Sequence, residues 1–481
     1  MKDLTTSSAT ALAKRIRTGE LSSRDVVDAH IRRVERVNPA LNAIVAERFA
    51  EARSEADAAD ERLAREGVDG LPVFHGVPCS IKECFALTGM PNSAGHVSRA
   101  HHRAEDDAPV VSRIRAAGGI PLGVTNISEL CMWMESNNKV YGRTNNPYNT
   151  AHIVGGSSGG EGAIVAAGGA AFGLGSDVGG SIRMPAFFNG IFGHKPSSGL
   201  VPNAGQFPVA EGGALAYLTT GPFARRAEDL YPLLRLLAGP SERDSFAYPQ
   251  ALEETTVDYR ALRVIHVPDD GGRTPVSGEL RDAQQRVADH LASLGARVEE
   301  RRVPGLKHGF EIWGAMLHAA GGTPFEELLG GDEPFRAVPE VIKLITRRSE
   351  HTLPAVLLAL LERLTDLVPS HGTKMIEMGR RLRAELDALL RKDDGPVVML
   401  YPSYPTVAPR HNLPLLHPFY CSYCCVINAM ELPSTQVPLG LGDKGLPLGV
   451  QVIAAHGNDS LTIAVARELE DRFGGWVPAF G

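Results

Sequence analysis

Two glycine-rich loops present serines in a setting suited to nucleophilic catalysis. The first reads Gly155-Gly156-Ser157-Ser158-Gly159-Gly160. The second reads Gly175-Ser176-Asp177-Val178-Gly179-Gly180-Ser181-Ile182-Arg183, and Ser181 lies 24 positions after Ser157. Glycine flanks let the backbone take conformations closed to other residues and come close to a ligand. A serine so placed can expose its hydroxyl, and the bare N–H groups beside it can face a developing negative charge. The plainer reading is of two mobile glycine loops. Against it, the loops flank an apolar, helix-length tract, Glu161 to Leu174, without the Ser/Thr/Lys enrichment of a linker.

A hydroxyl nucleophile needs a base to take its proton. Histidine is the usual one, but Ser–Lys arrangements exist. A lysine serves only where its surroundings favour the neutral amine. Lys82 follows Val77, Cys79 and Ile81, apolar residues at alternate positions, as at the buried end of a strand. A surface lysine paired with its neighbour Glu83 fits the spacing equally well. The histidines, among them His101, His102, His194 and His411, fall at no metal-ligand spacing. Cys421-x-x-Cys424 has no second Cys or His pair, so neither a metal nor another cofactor is expected. Gly156-Ser157-Ser158-Gly159-Gly160 also fits the G-x-S-x-G elbow, which would make Ser158 the nucleophile. That reading needs a downstream acid and histidine and leaves the Ser181 loop without a role.

The elements that must carry these residues read as α/β. Residues 1–66 form a helical arm. Ser22 and Ser23 offer N-caps to a segment with Val27, Ile31 and Val34 at helical spacing, ending near Asn38-Pro39. Glu51 to Arg65 is a solvated amphipathic helix. From residue 67 onward strands alternate with helices. Val73 to Ile81 is strand-like and delivers Lys82, Val110 to Ala117 is a helix, and Ile120 to Thr125 a strand. Leu262 to Val267, Arg297 to Val303, Pro396 to Tyr401 and Leu448 to Ala455 are further strands, and Gly278 to Leu294 a helix. Without an intervening linker, this predicts one large α/β sheet over 67–481. A helical, Leu-rich insertion interrupts it at about 305–392. Within it, Val341 to Val368 carries the run Leu353 to Leu361, then Leu364, Leu367 and Val368, with Lys343, Arg347, Arg348 and Arg363 around it. Two readings stand for this stretch. One is a buried core helix or a homodimer face; the other is an apolar lid or membrane-surface helix.

Composition narrows the function classes. The chain has 481 residues, 43 % of them hydrophobic and 22 % charged, with a net charge of −7 and no charged block. Nucleic acid is therefore not an expected partner. The first residues lack the apolar run of a signal peptide, and no stretch reaches the ~18 apolar residues of a spanning helix. Six cysteines without a disulfide framework read as small buried thiols in a reducing cytoplasm.

The set Gly76-Val77-Pro78-x-x-x-Lys82, Gly155 to Gly160, and Gly175-Ser176-Asp177-x-Gly179-Gly180-Ser181-Ile182-Arg183-x-Pro185 resembles the amidase signature family. Asn42-Ala43 fits its N-terminal region. Leu432-Pro433, Pro438-x-Gly440 and Gly445-Leu446-Pro447-x-Gly449-x-Gln451 fit its C-terminal strands. Within the family, Gly89 to Ser93, Tyr141 to Pro147 and Met184 to Gly190 look like the fatty-acid amide hydrolases, especially the second vertebrate type.

The resemblance implies a single large mixed β-sheet surrounded by helices and a Ser-Ser-Lys triad. Ser181 would be the nucleophile, Lys82 the base and Ser157 the relay, behind a cis peptide after Gly156. The N–H groups of Val178, Gly179, Gly180 and Ser181 would form the oxyanion hole. Ser158, Ser176, Asp177 and Arg183 would support them, with Asp177 and Arg183 an ion pair. Glu83 departs from the aspartate that many members carry, which puts the support of Lys82 in question. The activity implied is hydrolysis of N-acyl, fatty-acid amides through an acyl-enzyme, without metal or cofactor. Met132 and Trp133 are candidate substrate contacts, equally readable as core. The alternatives are an aryl-acylamidase or peptide amidase of the same family, or one component of an amidotransferase that acts with partner chains. A catalytically dead binding module fits poorly with Lys82, Ser157 and Ser181 all present.

Overall fold

The protein is described by a computed structural model covering residues 4–331, 333–365, 369–391 and 395–479. In chain order the strands are β1 (Ile44–Glu47), β2 (Val77–Lys82), β3 (Gly119–Thr125), β4 (Asn137–Asn138), β5 (Gly142–Arg143), β6 (Phe172–Asp177) and β7 (Phe192–Lys195). They continue with β8 (Thr219–Ala224), β9 (Arg263–His266), β10 (Arg297–Glu300), β11 (Val397–Tyr401), β12 (Ser434–Leu441) and β13 (Pro447–Ala454). Eleven of them form one sheet in the order β1-β3-β2-β6-β8-β7-β12-β13-β11-β9-β10, while β4 and β5 pair separately. The sheet is mixed: β2 runs parallel to β3 and β6, whereas β6 runs antiparallel to β8 and β12 to β13. Every residue of β2, β3 and β6 is buried. Burial on both faces removes the need for a polar side, and β3 reads as a near-continuous apolar run.

The topology explains where the chemistry sits. β2 and β6 are parallel neighbours, with Ile81 opposite Leu174. Their carboxyl ends therefore deliver Lys82 and the loop after Asp177 to the same sheet edge, the usual place for a site in an α/β sheet. The tract between the two serine loops divides into a helix, Gly159–Ala166, and β6. Gly168, at φ +77°, turns the chain between them. The helix-length tract from Glu161 to Leu174 is thus helix in its first part and strand at its end.

Several boundaries differ from expectation for local reasons. β2 begins at Val77, because residues 73–76 turn, with His75 N–H bonded to Pro72 O at 3.1 Å and Val77 N–H to Phe74 O at 3.0 Å. The helix expected to end near Asn38-Pro39 runs from Ser23 to Leu41. Pro39 sits in its last turn, where it removes one N–H from the helical ladder close to the helix end. Asn42, in left-handed conformation, ends the helix. Asn38 Oδ1 then accepts from Ala43 and Ile44 N–H at 2.7 and 2.9 Å, steering the chain into β1. Ser22 is the N-cap, accepting from Asp25 N–H at 3.0 Å, while the Ser23 hydroxyl donates to Gly76 O at 3.0 Å. Residues 4–66 are therefore more than a helical arm. They add β1, antiparallel to β3, and bury Ala9, Leu12 and Ile16 in the core.

Between β10 and β11 lie the helices Gly309–Ala319, Phe325–Gly330, Ala337–Ile345, Leu353–Thr365 and Pro369–Leu390. In Leu353–Thr365, Ala355, Val356 and Ala359 face the core, while Leu353, Leu357 and Leu361 form an outward row four residues apart. Val338, Ile342 and Ile345 of Ala337–Ile345 are also exposed. Of the apolar tail expected here, Leu367 and Val368 lie outside the described residues. Among the described residues no helix is long and apolar enough to cross a membrane.

Candidate active site

Lys82 is fully buried, and its Nζ donates to Ser157 Oγ at 2.8 Å, Ser176 Oγ at 3.0 Å and Ser176 O at 3.4 Å. The reading of Lys82 as a surface partner of Glu83 does not hold. The Glu83 carboxylate points elsewhere, accepting from Ser93 N–H (2.7 Å) and Oγ (2.6 Å), Ala94 N–H (2.9 Å) and Tyr141 Oη (2.7 Å). Burial raises the Glu83 pKa, and these hydrogen bonds offset only part of that shift.

The Gly156–Ser157 peptide is cis. A Cβ at Gly156 would lie 2.3 Å from Trp133 O, so glycine alone fits beneath that segment. Ser136 fixes the loop: its Oγ lies 3.1 Å from both Gly155 O and Ser157 O, and accepts from Gly159 N–H at 2.9 Å. Ser158 is buried and donates to Ser176 O at 3.2 Å. No histidine is hydrogen-bonded to it among the described residues, which leaves the elbow reading without its base.

The Ser181 loop is held from outside by its carbonyls. Asp177 O accepts from Asn428 Nδ2 at 3.0 Å and Thr219 Oγ1 at 3.3 Å. Val178 O accepts from Trp313 Nε1 at 2.7 Å, and Gly179 O from Cys425 Sγ at 3.4 Å. In a planar peptide the N–H points opposite to the C=O. Held by their carbonyls, the Asp177–Val178 and Val178–Gly179 peptides therefore turn the N–H groups of Val178 and Gly179 the other way. Among the described residues the N–H groups of Val178, Gly179 and Ser181 meet no acceptor, nor does the Ser181 hydroxyl meet a partner. The fourth expected donor is already engaged, because Gly180 N–H donates to Asp177 Oδ1 at 2.6 Å. Buried backbone N–H groups are rarely left unpaired, so three of them around a lone hydroxyl make a cradle for an anionic oxygen.

Asp177 anchors this loop. It accepts from Ile182 N–H at 3.0 Å, Arg183 Nε at 3.1 Å and an Arg183 terminal nitrogen at 3.0 Å, with both side chains fully buried. Burial alone would raise the Asp177 pKa. The Arg183 charge and its hydrogen bonds overcome that and hold the carboxyl well below its ordinary range. Arg183 also reaches Gln451 Oε1 at 3.1 Å and Cys424 O at 3.0 Å. Behind Lys82, Glu161 accepts from Ser80 Oγ at 2.6 Å and Thr125 Oγ1 at 2.7 Å. Burial pushes Glu161 up to about 8.

Of the two candidate substrate contacts, Trp133 lines a cleft of about 180 Å³ together with Glu135, Lys139, Leu353, Pro354 and Leu415. Met132 is half-buried against the core and lies outside that lining. The cleft joins the start of the Leu-rich helix to the segment that presses on Gly156. Sequence spacing also could not show that His96, Glu129 and His351 converge, with ligand-type atoms within 4.8 Å of one another. Each of the three already has partners within the chain. His351 Nδ1 meets Glu129 Oε1 at 2.9 Å, Thr352 N–H donates to Glu129 Oε2 at 2.7 Å, and His96 Nε2 meets Leu329 O at 3.0 Å. The cluster pins the insertion to the core.

A large mixed sheet carrying a buried Lys–Ser pair beside an unpartnered serine and free N–H groups is an arrangement able to serve nucleophilic hydrolysis. The Amidase family model matches residues 25–463, and the chain belongs to that family. It is 48 % identical to human (Homo sapiens) fatty-acid amide hydrolase 2, over 97 % of this chain and 89 % of that protein. Indoleacetamide hydrolase of Bradyrhizobium diazoefficiens is 32 % identical, over 97 % of this chain and 86 % of that one. Among solved structures, 6-aminohexanoate cyclic dimer hydrolase matches with a TM-score of 0.81 at 25 % identity, covering 98 % of this chain and 97 % of the other.

Proposed function

We propose that the protein hydrolyses N-acyl amides with apolar, fatty acyl chains, with Ser181 as nucleophile and Lys82 as base acting through Ser157. The observation that carries this reading is the Ser181 hydroxyl in its cradle of free N–H groups, one loop away from the Lys82–Ser157 hydrogen bond. As the neutral amine, Lys82 takes the Ser157 proton while Ser157 takes that of Ser181. Ser181 Oγ bonds to the amide carbon, and the N–H groups of Val178, Gly179 and Ser181 receive the resulting oxyanion. Returning the proton along the same path to the leaving nitrogen expels the amine. Water then attacks the acyl-enzyme by the same route and releases the acid. Ser158, Ser176, Asp177 and Arg183 hold these groups in place, and Met132 and Trp133 flank the acyl chain. The units we assign are residues 1–66 and a catalytic domain, 67–481, with its insertion at about 305–392.

Support for a fatty acyl chain comes from the 48 % identity to fatty-acid amide hydrolase 2 and from the cleft that Trp133 shares with Leu353 and Pro354. The exposed rows on Ala337–Ile345 and Leu353–Thr365, with Lys343, Arg347 and Arg348 beside them, suit a peripheral contact with an anionic membrane surface from the cytoplasmic side. Pairing with a second copy through the same rows is the competing use of that face. The test is hydrolysis of anilides with short, medium and long acyl chains by the intact chain and by Ser181→Ala. A rate that rises with chain length and vanishes in the variant supports the reading. A short-chain preference, still lost in the variant, moves the substrate to those of aryl-acylamidases or peptide amidases.

A further inference from the structure

The loop after β9 meets the starts of the helices Gly309–Ala319 and Pro369–Leu390 around a cleft of about 570 Å³, a size that holds a small molecule. None of the residues assigned to catalysis lines it. The lining is cationic. Arg273, Lys307 and Lys374 bring three fixed positive charges against the single carboxylate of Glu311, which leaves two in excess. Asp269 and Asp270 are close in the chain but turn onto the loop's own backbone. Gly271 N–H donates to Asp269 Oδ1 at 2.8 Å, and the N–H groups of Gly272 and Arg273 donate to Asp270 Oδ1 at 3.1 and 3.0 Å. Lys307 and Lys374 are exposed, and among the described residues neither ammonium group has an ion pair or a hydrogen bond.

Arg273 is already oriented for an anion. Its Cζ lies 5.0 Å over the Phe419 ring, and Phe419 is itself fixed by Phe310, edge-on at 5.2 Å between centroids. Arg273 Nη1 donates to Glu311 Oε1 and, at 3.3 Å, to Lys307 O. Nε and Nη2 have no partner among the described residues. These two are the parallel N–H groups with which a guanidinium grips a phosphate or carboxylate in a bidentate fashion. Glu311 presents the opposite need. Its Oε2 is buried and has no partner among the described residues, so it lacks a hydrogen-bond donor.

We propose that this cleft is a second ligand site, which takes a phosphomonoester dianion that also carries a hydroxyl. The phosphate lies on the free edge of Arg273, within reach of the Lys307 and Lys374 ammonium groups. The two charges of the phosphate match the two in excess on the lining. The ligand hydroxyl donates to Glu311 Oε2, and its carbon skeleton rests on the buried Met375. A carboxylate ligand would bring one charge where the lining offers two. Binding here is independent of the triad proposed above.

The experiment titrates the full chain with glycerol 3-phosphate by calorimetry, with ethyl phosphate and acetate in parallel. Expected are saturable heat from glycerol 3-phosphate, weaker binding of ethyl phosphate, which has no hydroxyl on its carbons, and none of acetate. Lys307→Ala combined with Lys374→Ala should weaken binding about tenfold or more, the scale of one charge-assisted hydrogen bond. Arg273→Lys keeps the charge, loses the planar fork and should weaken it likewise. Thermal unfolding checks that each variant is folded. Phosphatidylcholine vesicles with and without lysophosphatidic acid form a second arm, because that lipid presents the same phosphate and hydroxyl. Heat with the soluble probe marks a free metabolite as the ligand. Association only with the lysophosphatidic acid vesicles, lost in the double lysine variant, marks a lipid headgroup. The proposal is overturned if neither probe binds, if acetate or ethyl phosphate binds as tightly as glycerol 3-phosphate, or if the folded variants bind like the parent chain.

Discussion

Trp313 comes from the insertion, yet its indole N–H donates to Val178 O at 2.7 Å and its ring lies 3.2 Å from where a Cβ on Gly179 would sit. Because the Val178 carbonyl and the Gly179 N–H share one peptide plane, this single bond aims one oxyanion donor. Trp313→Phe keeps most of the ring packing, including the contact with Phe310 at 5.7 Å between centroids, and removes the donor. A net hydrogen bond is worth about 0.5–1.5 kcal/mol, and 1.4 kcal/mol is about tenfold in rate. The expected fall in kcat is therefore about 2- to 12-fold. Complete loss of the Gly179 donor, about 10²–10³, is the upper bound. The oxyanion exists only in the transition state, so KM should hardly move. Steady-state kinetics on a short-chain anilide separate the two constants, and thermal unfolding checks that the variant is folded. A folded Trp313→Phe with wild-type kcat, or one whose defect lies wholly in KM, would refute the reasoning.

Three further outcomes are expected. Glu161 titrates at about 8 when folded against 4.5 ordinarily, so between those values the folded chain keeps a proton that the unfolded chain has released. Stability therefore falls as pH rises through that window. Glu161→Gln should flatten the decline in Tm between about pH 4.5 and about pH 8, and equal slopes would contradict the assignment. Asp177→Asn leaves Arg183 as an uncompensated buried charge and should cost about 3–5 kcal/mol, read from urea unfolding; a loss below about 1 kcal/mol would mean the pair is dispensable. Charging the outward row with Leu357→Asp and Leu361→Asp should weaken binding to anionic vesicles while sparing hydrolysis of soluble anilides. Unchanged binding would assign that row to another contact.

The two serine loops were legible in the sequence because serine among closely spaced glycines carries local meaning, whereas Lys82 was singled out only by the family resemblance, its spacing fitting a surface lysine equally well. The α/β alternation around Lys82 was also legible, since Val77, Cys79 and Ile81 repeat with the period of a strand. What escaped were side chains that act across the fold. Ser136 clamps Gly155, Ser157 and Gly159 from an irregular segment, and Trp313 reaches Val178 over a separation of 135 residues. Asn428 and Cys425 hold the Ser181 loop from a helix near the other end of the chain. No periodicity signals which helix will cross which loop. Gly180 escaped differently: Asp177 is short enough to turn back and take its N–H, which leaves three free N–H groups where four donors were expected. The direction of Glu83 was also hidden, because adjacency to Lys82 along the chain says nothing about which way either side chain turns.

The most direct test of the account is the mass of the intact chain in the first seconds after mixing with an activated long-chain acyl ester, followed by peptide mapping. The account predicts a transient acyl adduct on Ser181 that is absent in Ser181→Ala and accumulates far more slowly in Lys82→Ala. An adduct on Ser158 or Ser157, or hydrolysis that survives in Ser181→Ala, would contradict it.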